Sequence, residues 1–581
     1  MNPITWLKQF ASRYFDDLRL RLAARRAPWQ LALLGTGGGL IAGVVMVAFR
    51  LVTEIPQITF LGSNHENYEA LSAIWLLLLP TCGGLAVGLL FHWLRPTDQA
   101  VGVVHVMERL AYGEGHLPIK NAGVQFFSAA LCIVSGQSVG REGPAVHIGS
   151  ACCSWMGLKL RLPDNSIRVL VGCGTAGAIA AAFNTPLAGV IFAMEVILVE
   201  YTLASFTPII LAAASATTVS YWSFGPAPVF QVPAFSLGAL DHLWYVVAMG
   251  IGIGILSTVF VRLLVFFSRR LTTQPVWLRM MLAGTCTGIL ALWAPQIMGI
   301  GYDTVNAIFL GELGLQLLLI VLLCKLLATA LGLGFGLPGG VIGPTLMLGA
   351  LAGGAVGALV TLNDPQHSSS PALYAMLGMG AMMGATLNAP LAALTALLEL
   401  TANPHIILPA MLAIVTAELT CHHGFHTPSV FLKLMEVRGL EYSSNPISQF
   451  LRRLGVTHVM DRGFTQLPRH VKRHQLEQSL TAGVRWIQSY EDSRHLLVGA
   501  DLQRFLATES TTAEDLIDLN ELPLPRIAMA TISAQATLEG ALRNMERQHV
   551  SALGVVSHWG TQVLGIITRE AIERSYRLPL N

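Results

Sequence analysis

Two glycine-rich breaks carry the residues whose types and spacing could do chemistry. They lie at Gly136–Gly149 (GQSVGREGPAVHIG) and Gly332–Gly349 (GLGFGLPGGVIGPTLMLG), each inside a long apolar stretch. In both, a Gly-Pro pair opens an apolar run, and the fixed φ of proline suits the first turn of a helix. The spacing therefore predicts two helix N-termini set at membrane depth. Broken helices persist there only when they are buried in protein or line a polar path.

Such helix ends can bind an anion without a lysine. The first turn presents unpaired N–H groups and about half a unit of positive charge. Glu142 lies in the first break, and an ionisable residue inside a membrane segment indicates a functional site. We expect its carboxylate to act as a gate, which competes with the anion when ionised and opens the path when protonated or displaced. Its neighbour Arg141 is either a counter-charge or a structural anchor, and we favour the anchor.

The two breaks also match each other in sequence. One set of residues recurs 200 positions later: Gly140, Gly143, Pro144 and Gly149 correspond to Gly340, Gly343, Pro344 and Gly349. A second set recurs 204 positions later: Asn184, Pro186, Leu187, Ala188 and Glu195 correspond to Asn388, Pro390, Leu391, Ala392 and Glu399. Two ordered matches predict a duplicated membrane half, with the binding site where the paired interruptions meet. These identities leave open whether the halves are parallel or inverted.

The elements that position these breaks follow from composition. Of 581 residues, 53% are hydrophobic and 12% are charged, against about 25% charged in soluble domains. Residues 441–581 hold 30 of the 70 charged positions, so the chain is a membrane body followed by a soluble tail. Residues 30–49 and 71–94 suit whole spans, whereas 201–240, 326–363 and 365–398 are uncharged but interrupted by Gly and Pro. The basic residues before residue 28 favour a cytoplasmic N-terminal amphipathic segment.

Several other classes of site are disfavoured. A net charge of +2 without a basic face argues against nucleic acid. The eight cysteines lack the spacing of a zinc site or disulfide framework, and Cys421 with His422, His423 and His426 is spaced irregularly, so we expect no metal. Glu142, Glu195 and Glu399 lie too far apart in sequence to form a catalytic motif, and we expect no enzyme activity.

These residues resemble those of the CLC family of chloride channels and proton-coupled chloride transporters. Gly140-Arg-Glu-Gly-Pro144 matches its most distinctive motif, and Gly339-Gly-Val-Ile-Gly-Pro344 is similar to the second-half counterpart. The resemblance implies a polytopic α-helical membrane protein with an inverted repeat of tilted and re-entrant helices, which forms a homodimer with one anion path per subunit. It places the external gate at Glu142. The central anion site then falls on backbone amides around Gly140, Arg141 and Gly143, and around Val341 and Ile342.

Three positions depart from the family pattern. The first anion-binding loop falls on Val101, Gly102 and Val103, where Val101 replaces a serine hydroxyl. The inner tyrosine of the family site falls on Val430. The carboxylate that passes protons on the intracellular side falls on Val196, which cannot relay a proton, although Glu195, Glu200 or a water chain could substitute. The last departure favours passive conduction over exchange.

The tail reads as α/β and resembles a pair of CBS domains. The two units run from about residue 456 to 507 and from about 522 to 577. Thr568 and Glu570 match positions that can hold an adenine nucleotide in that family, although we favour a role in dimer contacts. No other cofactor is expected.

We therefore expect a chloride channel of the cell (inner) membrane with both termini cytoplasmic, and a proton-coupled chloride exchanger is the alternative. The predicted domains are 1–28, the membrane domain 29–440 and the regulatory tail 441–581. Other small anions remain open alternatives to chloride.

Overall fold

The structure is a computed structural model that describes residues 22, 28–62, 67–226, 230, 243–363, 370–440, 445–508, 515–557 and 562–577. The predicted N-terminal segment 1–28 lies almost wholly outside the described residues. The chain separates into two units, and the larger comprises residues 32–158 and 167–442. This unit is entirely helical in its described part.

The membrane unit contains both long helices and short ones, several of which begin at proline or glycine. They are α1 Pro28–Leu61, α2 Ala73–His92, α3 Gly102–Tyr112, α4 Ile119–Val134, α5 Glu142–Lys159, α6 Asp164–Phe183, α7 Pro186–Phe192, α8 Leu203–Phe224, α9 Leu243–Arg269, α10 Val276–Ala291, α11 Tyr302–Phe309, α12 Leu315–Gly334, α13 Ile342–Asn363, α14 Pro371–Leu387, α15 Pro390–Thr401, α16 Ile407–Leu419 and α17 Val430–Val437. Seven helices of the described chain are long and apolar enough to cross a membrane. The expected multi-pass membrane body is confirmed.

The predicted interruptions are present. The uncharged stretch 326–363 is split between α12 and α13, and 365–398 is split between α14 and α15. Pro144 and Pro344 lie in the first turns of α5 and α13, where a missing N–H removes no intrahelical bond. The helix predicted at 30–49 is longer than expected, because α1 continues past Arg50 and Glu54, which form an ion pair one turn apart, to Leu61.

The repeat extends over the whole membrane unit. Counterparts occur in the same order: α2 with α10, α3 with α11, α4 with α12, α5 with α13, α6 with α14, α7 with α15, and α8 with α16. The two breaks meet in an antiparallel bridge, in which the N–H of Gly140 donates to the Gly340 carbonyl at 2.8 Å and the N–H of Gly340 donates back at 2.7 Å. An antiparallel bridge between equivalent residues is the contact that a two-fold axis between the halves produces, as the predicted repeat requires.

A second reciprocal contact joins the halves. The Glu195 carboxylate accepts hydrogen bonds from the N–H groups of Leu391 (3.3 Å) and Ala392 (2.7 Å), in the first turn of α15. The Glu399 carboxylate accepts from Leu187 (2.9 Å) and Ala188 (2.7 Å), in the first turn of α7. Each half thus supplies the acidic cap for a proline-started helix of the other half.

The tail contains two units of the same order. Its elements are α18 Pro446–Arg452, α19 Val456–Val459, β1 Phe464–Leu467, β2 His470–Lys472, α20 Arg473–Thr481, β3 Trp486–Ser489, β4 His495–Val498, α21 Gly499–Thr508, β5 Leu516–Asp518, β6 Arg526–Ser533, α22 Leu538–Gln548, β7 Ala552–Val556, β8 Val563–Thr568 and α23 Arg569–Arg577. A six-stranded sheet has the order β1-β3-β4-β6-β7-β8, and β2 pairs separately with β5. In the first unit β1 pairs parallel with β3, which pairs antiparallel with β4. In the second unit β6 pairs parallel with β7, which pairs antiparallel with β8.

Candidate anion site

Glu142 is fully buried at the first residue of α5, and its carboxylate crosses to the other half of the repeat. Oε2 accepts a hydrogen bond from the backbone N–H of Gly343 at 3.0 Å. Oε1 accepts a hydrogen bond from the hydroxyl of Tyr302. Gly343 is the second residue of α13, so the carboxylate lies on unpaired amides at the positive end of that helix. A negative group is therefore bound by a peptide amide at membrane depth.

Tyr302 is a gate contact that the sequence analysis missed. It begins α11, after Gly301 with φ +90°, a conformation that strongly favours glycine. A Cβ at Gly301 would also lie 2.3 Å from Sδ of Met347. The available signal was the repeat itself, because Tyr302 lies 200 positions after Gly102 and both begin counterpart helices.

Aromatic and cationic groups surround the Tyr302 ring. The ring of Phe230 packs edge-on with 5.3 Å between centroids, and the Phe183 ring lies at 6.1 Å. Cζ of Arg141 lies 5.2 Å from the centre of the tyrosine ring. These contacts limit the positions that the phenol can adopt beside Glu142.

Arg141 makes the contacts of an anchor. Its Nη1 lies 3.2 Å from Oε1 of Glu54 on α1, and its Nη2 donates to the carbonyl of Ala182 on α6 at 3.1 Å. The guanidinium is buried beside the gate helix. The same oxygen of Glu54 also accepts from Nε of Arg50 at 3.0 Å, and the anchor role of Arg141 stays a prediction.

A cavity of about 230 Å³ extends from the gate between the two halves. Its lining includes Val101, Gly102, Val103, Gly143, Val341 and Ile342. Six of the predicted anion-site residues are thus brought together. Gly143 and Ile342 adjoin Glu142 and Gly343 in sequence, so the cavity reaches the backbone next to the carboxylate and its amide partner.

The remaining predicted residues lie beside this lining. Gly140 forms the bridge to Gly340, and Arg141 points toward Glu54. Val430 is fully buried at the start of α17, and its neighbour Phe431 faces the cavity. The structure therefore places buried apolar side chains where the family pattern has a phenol.

Two arginines line the cavity and were not singled out from the sequence. Arg279 of α10 is half-buried, and its Nε has no hydrogen-bond partner. Arg438 follows α17 and is exposed to the cavity. Their guanidinium groups add full positive charge to the partial charges of the helix ends. Such a lining attracts anions.

Lys325 is a further buried charge that sequence reasoning missed. It lies in the middle of α12, and its Nζ donates to the carbonyls of Ile297 (2.9 Å) and Gly299 (3.1 Å). These carbonyls belong to the segment that leads into Gly301 and Tyr302. An ionisable residue within an apolar helix was the available signal. The ammonium fixes the segment that delivers Tyr302 to the gate.

Val196 is buried in the π-helical turn Ala193–Leu198 that follows α7. The adjacent Glu195 is one of the reciprocal helix caps described above. Glu195 was a candidate substitute for the missing proton carboxylate, and its two oxygens are instead held by amides of α15.

The nucleotide candidates of the tail take part in local contacts. The Thr568 hydroxyl accepts a hydrogen bond from the N–H of Ala571 at 3.2 Å at the start of α23. Glu570 is exposed and lies 2.6 Å from Nη2 of Arg574. These contacts stabilise the helix end.

Comparisons with known proteins agree on the family. The model of the family described as voltage gated chloride channel matches residues 83–422. The chain is 33% identical over 414 residues to a putative chloride channel protein ClcB-like of Ralstonia nicotianae, covering 69% of this chain and 95% of the relative. It is 29% identical over 423 residues to the H(+)/Cl(-) exchange transporter ClcA of Vibrio cholerae, covering 70% and 90%.

The fold also has a solved relative that includes most of the tail. The structure of a eukaryotic CLC transporter covers 93% of this chain and 97% of its own, with a TM-score of 0.60 and 16% identity. At this identity the likeness concerns the fold alone. The family match and these relatives show a membrane protein of chloride transport. The chain therefore belongs to the CLC, or voltage gated chloride channel, family.

Proposed function

We propose that this protein is a passive chloride channel gated by Glu142. The observation that carries the proposal is the hydrogen bond from the Gly343 N–H to the Glu142 carboxylate at 3.0 Å. The carboxylate occupies the amide that a permeating anion would otherwise bind. When it is protonated or displaced, the end of α13 becomes available to chloride.

The lining of the cavity supports anion entry. Arg279 and Arg438 raise the local concentration of anions, and the amides at Gly102 and Ile342 bind them through partial charges. Partial charges permit binding and release, whereas a full charge at the narrowest point would retain the ion. Valines at 101 and 430 leave the backbone as the main source of ligands. Nitrate and bromide are therefore further candidate substrates.

Val196 favours a channel over an exchanger. A valine at this position accepts no proton, and the neighbouring Glu195 is engaged with α15. The rival function is proton-coupled chloride exchange, which is favoured by the likeness to ClcA, an H(+)/Cl(-) exchange transporter.

Reversal potentials of the purified protein in lipid bilayers separate these functions. Under opposed chloride and pH gradients, a channel reverses at the chloride equilibrium potential, and changing the pH gradient leaves this value unchanged. A reversal potential that moves with the pH gradient contradicts the channel. Uphill proton movement driven by chloride in liposomes would establish the exchanger.

We further propose a homodimer with one anion path per subunit. The first turns of α7 and α15 expose Leu187 and Leu391 beside the half-buried Glu195 and Glu399. Carboxylates are costly against lipid, and a second copy would cover them with protein. Light scattering of the detergent-solubilised protein should give the mass of two chains, and a monomer would contradict the proposal.

We place the protein in the inner membrane with both termini in the cytoplasm, on the basis of the basic residues before residue 28. We propose that the tail is a CBS pair, because its two units repeat the same order of strands and helices around one sheet. Its proposed role is to support contacts between subunits. Cysteine accessibility in inside-out and right-side-out vesicles tests the orientation.

A further inference from the structure

Two histidines form a buried pair within the membrane unit. Nδ1 of His105 lies 2.9 Å from Nε2 of His147, and the ring centroids are 5.1 Å apart. The exposed fraction is 4% for His105 and 0% for His147. A hydrogen bond at this distance requires one donor and one acceptor nitrogen, so the pair shares a proton between the rings.

Each imidazole lies on a helix that forms the candidate anion site. His105 is the fourth residue of α3, whose first residue, Gly102, lines the cavity. His147 is the sixth residue of α5, whose first residue is the gate Glu142. The pair therefore connects α3, which begins at the loop residue Gly102, to α5, which begins at Glu142.

The remaining nitrogen of His147 is unsatisfied. Its Nδ1 is buried and has no hydrogen-bond partner. An unpaired buried polar atom is destabilising, and a pair that only filled space could avoid it with apolar side chains. When His147 donates through Nε2, its Nδ1 carries a free lone pair. This nitrogen can then accept one further proton.

The charges near the pair couple this proton to the anion. Burial of its ring opposes a positive charge on His105 most strongly, Arg109 and Arg438 oppose it further, and the positive end of α3 acts in the same direction. Glu108 partly offsets Arg438. A chloride in the cavity, beside Gly102 and Arg438, would cancel this repulsion.

Further titratable groups lie on α5 and on α6, which packs against it at Gly149 and Gly174. They are Glu142, Lys159 and the thiols of Cys152 and Cys153 on α5, and Asp164, Arg168 and the thiol of Cys173 on α6. Arg168 donates to the carbonyl of Leu110 at the end of α3. Because Glu142 begins the helix that carries His147, the measurement uses the Glu142→Gln protein.

We propose that His105 and His147 form a proton-binding site whose occupancy is linked to the anion in the cavity. One N–H bond forms at Nδ1 of His147 with a proton taken from solvent, and no other covalent bond changes. Anion binding favours this proton, and by reciprocity the proton favours the anion. The inference rests on the anion site proposed above. The histidine pair would bind a proton in a chain whose residue 196 is a valine, which cannot bind one.

Calorimetry measures this linkage directly. Chloride is titrated into the full-length Glu142→Gln protein in detergent at about pH 5, below the ordinary pKa of imidazole because both rings are buried, in two chloride-free buffers of different ionisation enthalpy. The difference in heat gives the protons taken up per chloride. We expect a measurable fraction of one proton in the Glu142→Gln protein. This uptake should fall to near zero when His147→Gln or His105→Gln is added.

His92→Gln is the matched control, because His92 is exposed at the end of α2, and its uptake should equal that of the Glu142→Gln parent. Chloride binding without proton uptake in the Glu142→Gln protein overturns the proposal. This outcome can be measured even if neither histidine variant folds. Uptake that persists in both histidine variants also overturns it. Absence of chloride binding and flux in the unmodified protein would instead contradict the proposed function.

Discussion

Gly140 and Gly340 exchange two backbone hydrogen bonds, of 2.8 and 2.7 Å, at the centre of the membrane unit. The two residues are equivalent in the repeat, and each lies shortly before a helix that points into the anion site. The bridge fixes the separation of α5 and α13. It therefore sets the distance between the Glu142 carboxylate and the amide of Gly343.

Replacing Gly340 by alanine should disrupt this arrangement. A Cβ there would lie 2.5 Å from the backbone nitrogen of Gly143, and backbone cannot rotate away as a side chain can. Overpacking of this kind costs about 1–3 kcal/mol, and we expect chloride flux to fall about tenfold or more. Gly123→Ala is the control, because a Cβ at Gly123 meets nothing within 4 Å. Equal flux and thermal stability in the two variants would contradict the role of the bridge.

Tyr302→Phe should raise chloride flux at neutral pH. The change removes the hydroxyl that donates to Glu142 and retains the ring contacts with Phe183 and Phe230. A hydrogen bond to a charged group contributes about 1.5–3 kcal/mol, so the open fraction should rise about tenfold or more while it remains small. Flux assays in liposomes measure the effect, with Tyr221→Phe on the exposed face of α8 as control. Unchanged flux in Tyr302→Phe would show that the phenol does not hold the gate.

The Glu142→Gln variant should lose the part of the pH dependence of chloride flux that the Glu142 carboxylate causes. The amide is neutral at every pH, so it no longer competes with chloride as a carboxylate does. Flux is compared between mildly acidic and neutral conditions for the variant and the unmodified protein. A pH dependence equal to that of the unmodified protein would remove Glu142 from the gating role.

Glu195→Gln and Glu399→Gln should have similar effects, because the two carboxylates make equivalent contacts in the two halves. Loss of a charged helix cap costs about 0.5–2 kcal/mol, which should appear as a lower midpoint of thermal unfolding. Glu69→Gln, an exposed position, should leave the midpoint unchanged. If Glu195→Gln alone altered coupled proton movement, Glu195 would be a proton carrier in addition to a cap.

We expect no adenine-nucleotide binding that depends on Thr568. Its hydroxyl accepts from the N–H of Ala571, and Glu570 pairs with Arg574. Titration of the full-length protein with ATP should therefore give no saturable binding. Saturable binding that is lost in Thr568→Ala would assign the nucleotide role to this unit.

Much of the membrane fold follows from local sequence. Glycine and proline interrupt apolar runs, and their backbone preferences decide where α5, α13, α7 and α15 begin. The spacing of 200 positions is long-range information, but it is still visible by inspection. The antiparallel orientation of the halves is not visible in the sequence, because matching residues do not show in which direction each half runs.

The contacts of the gate could be predicted only in part. Glu142 was identified because a carboxylate is conspicuous in an apolar segment. Tyr302 follows an ordinary Gly-x-Gly sequence, and nothing local to it indicates a contact 160 positions away. Arg279 and Arg438 are single charges on separate elements, and only the tertiary packing brings both to one cavity. The packing likewise brings Lys325 to the carbonyls of Ile297 and Gly299.

The sequence alone determined that the chain crosses the membrane, that its body is duplicated and that paired helix ends at Gly140–Pro144 and Gly340–Pro344 suit an anion. These properties depend on residue type and on neighbours within one turn. Only the tertiary structure decided which amide Glu142 binds, that Tyr302 holds it, that Glu195 caps the opposite half and that His105 meets His147. Such contacts join residues far apart in the chain, and they depend on distances that the repeat defines only after both halves have packed together.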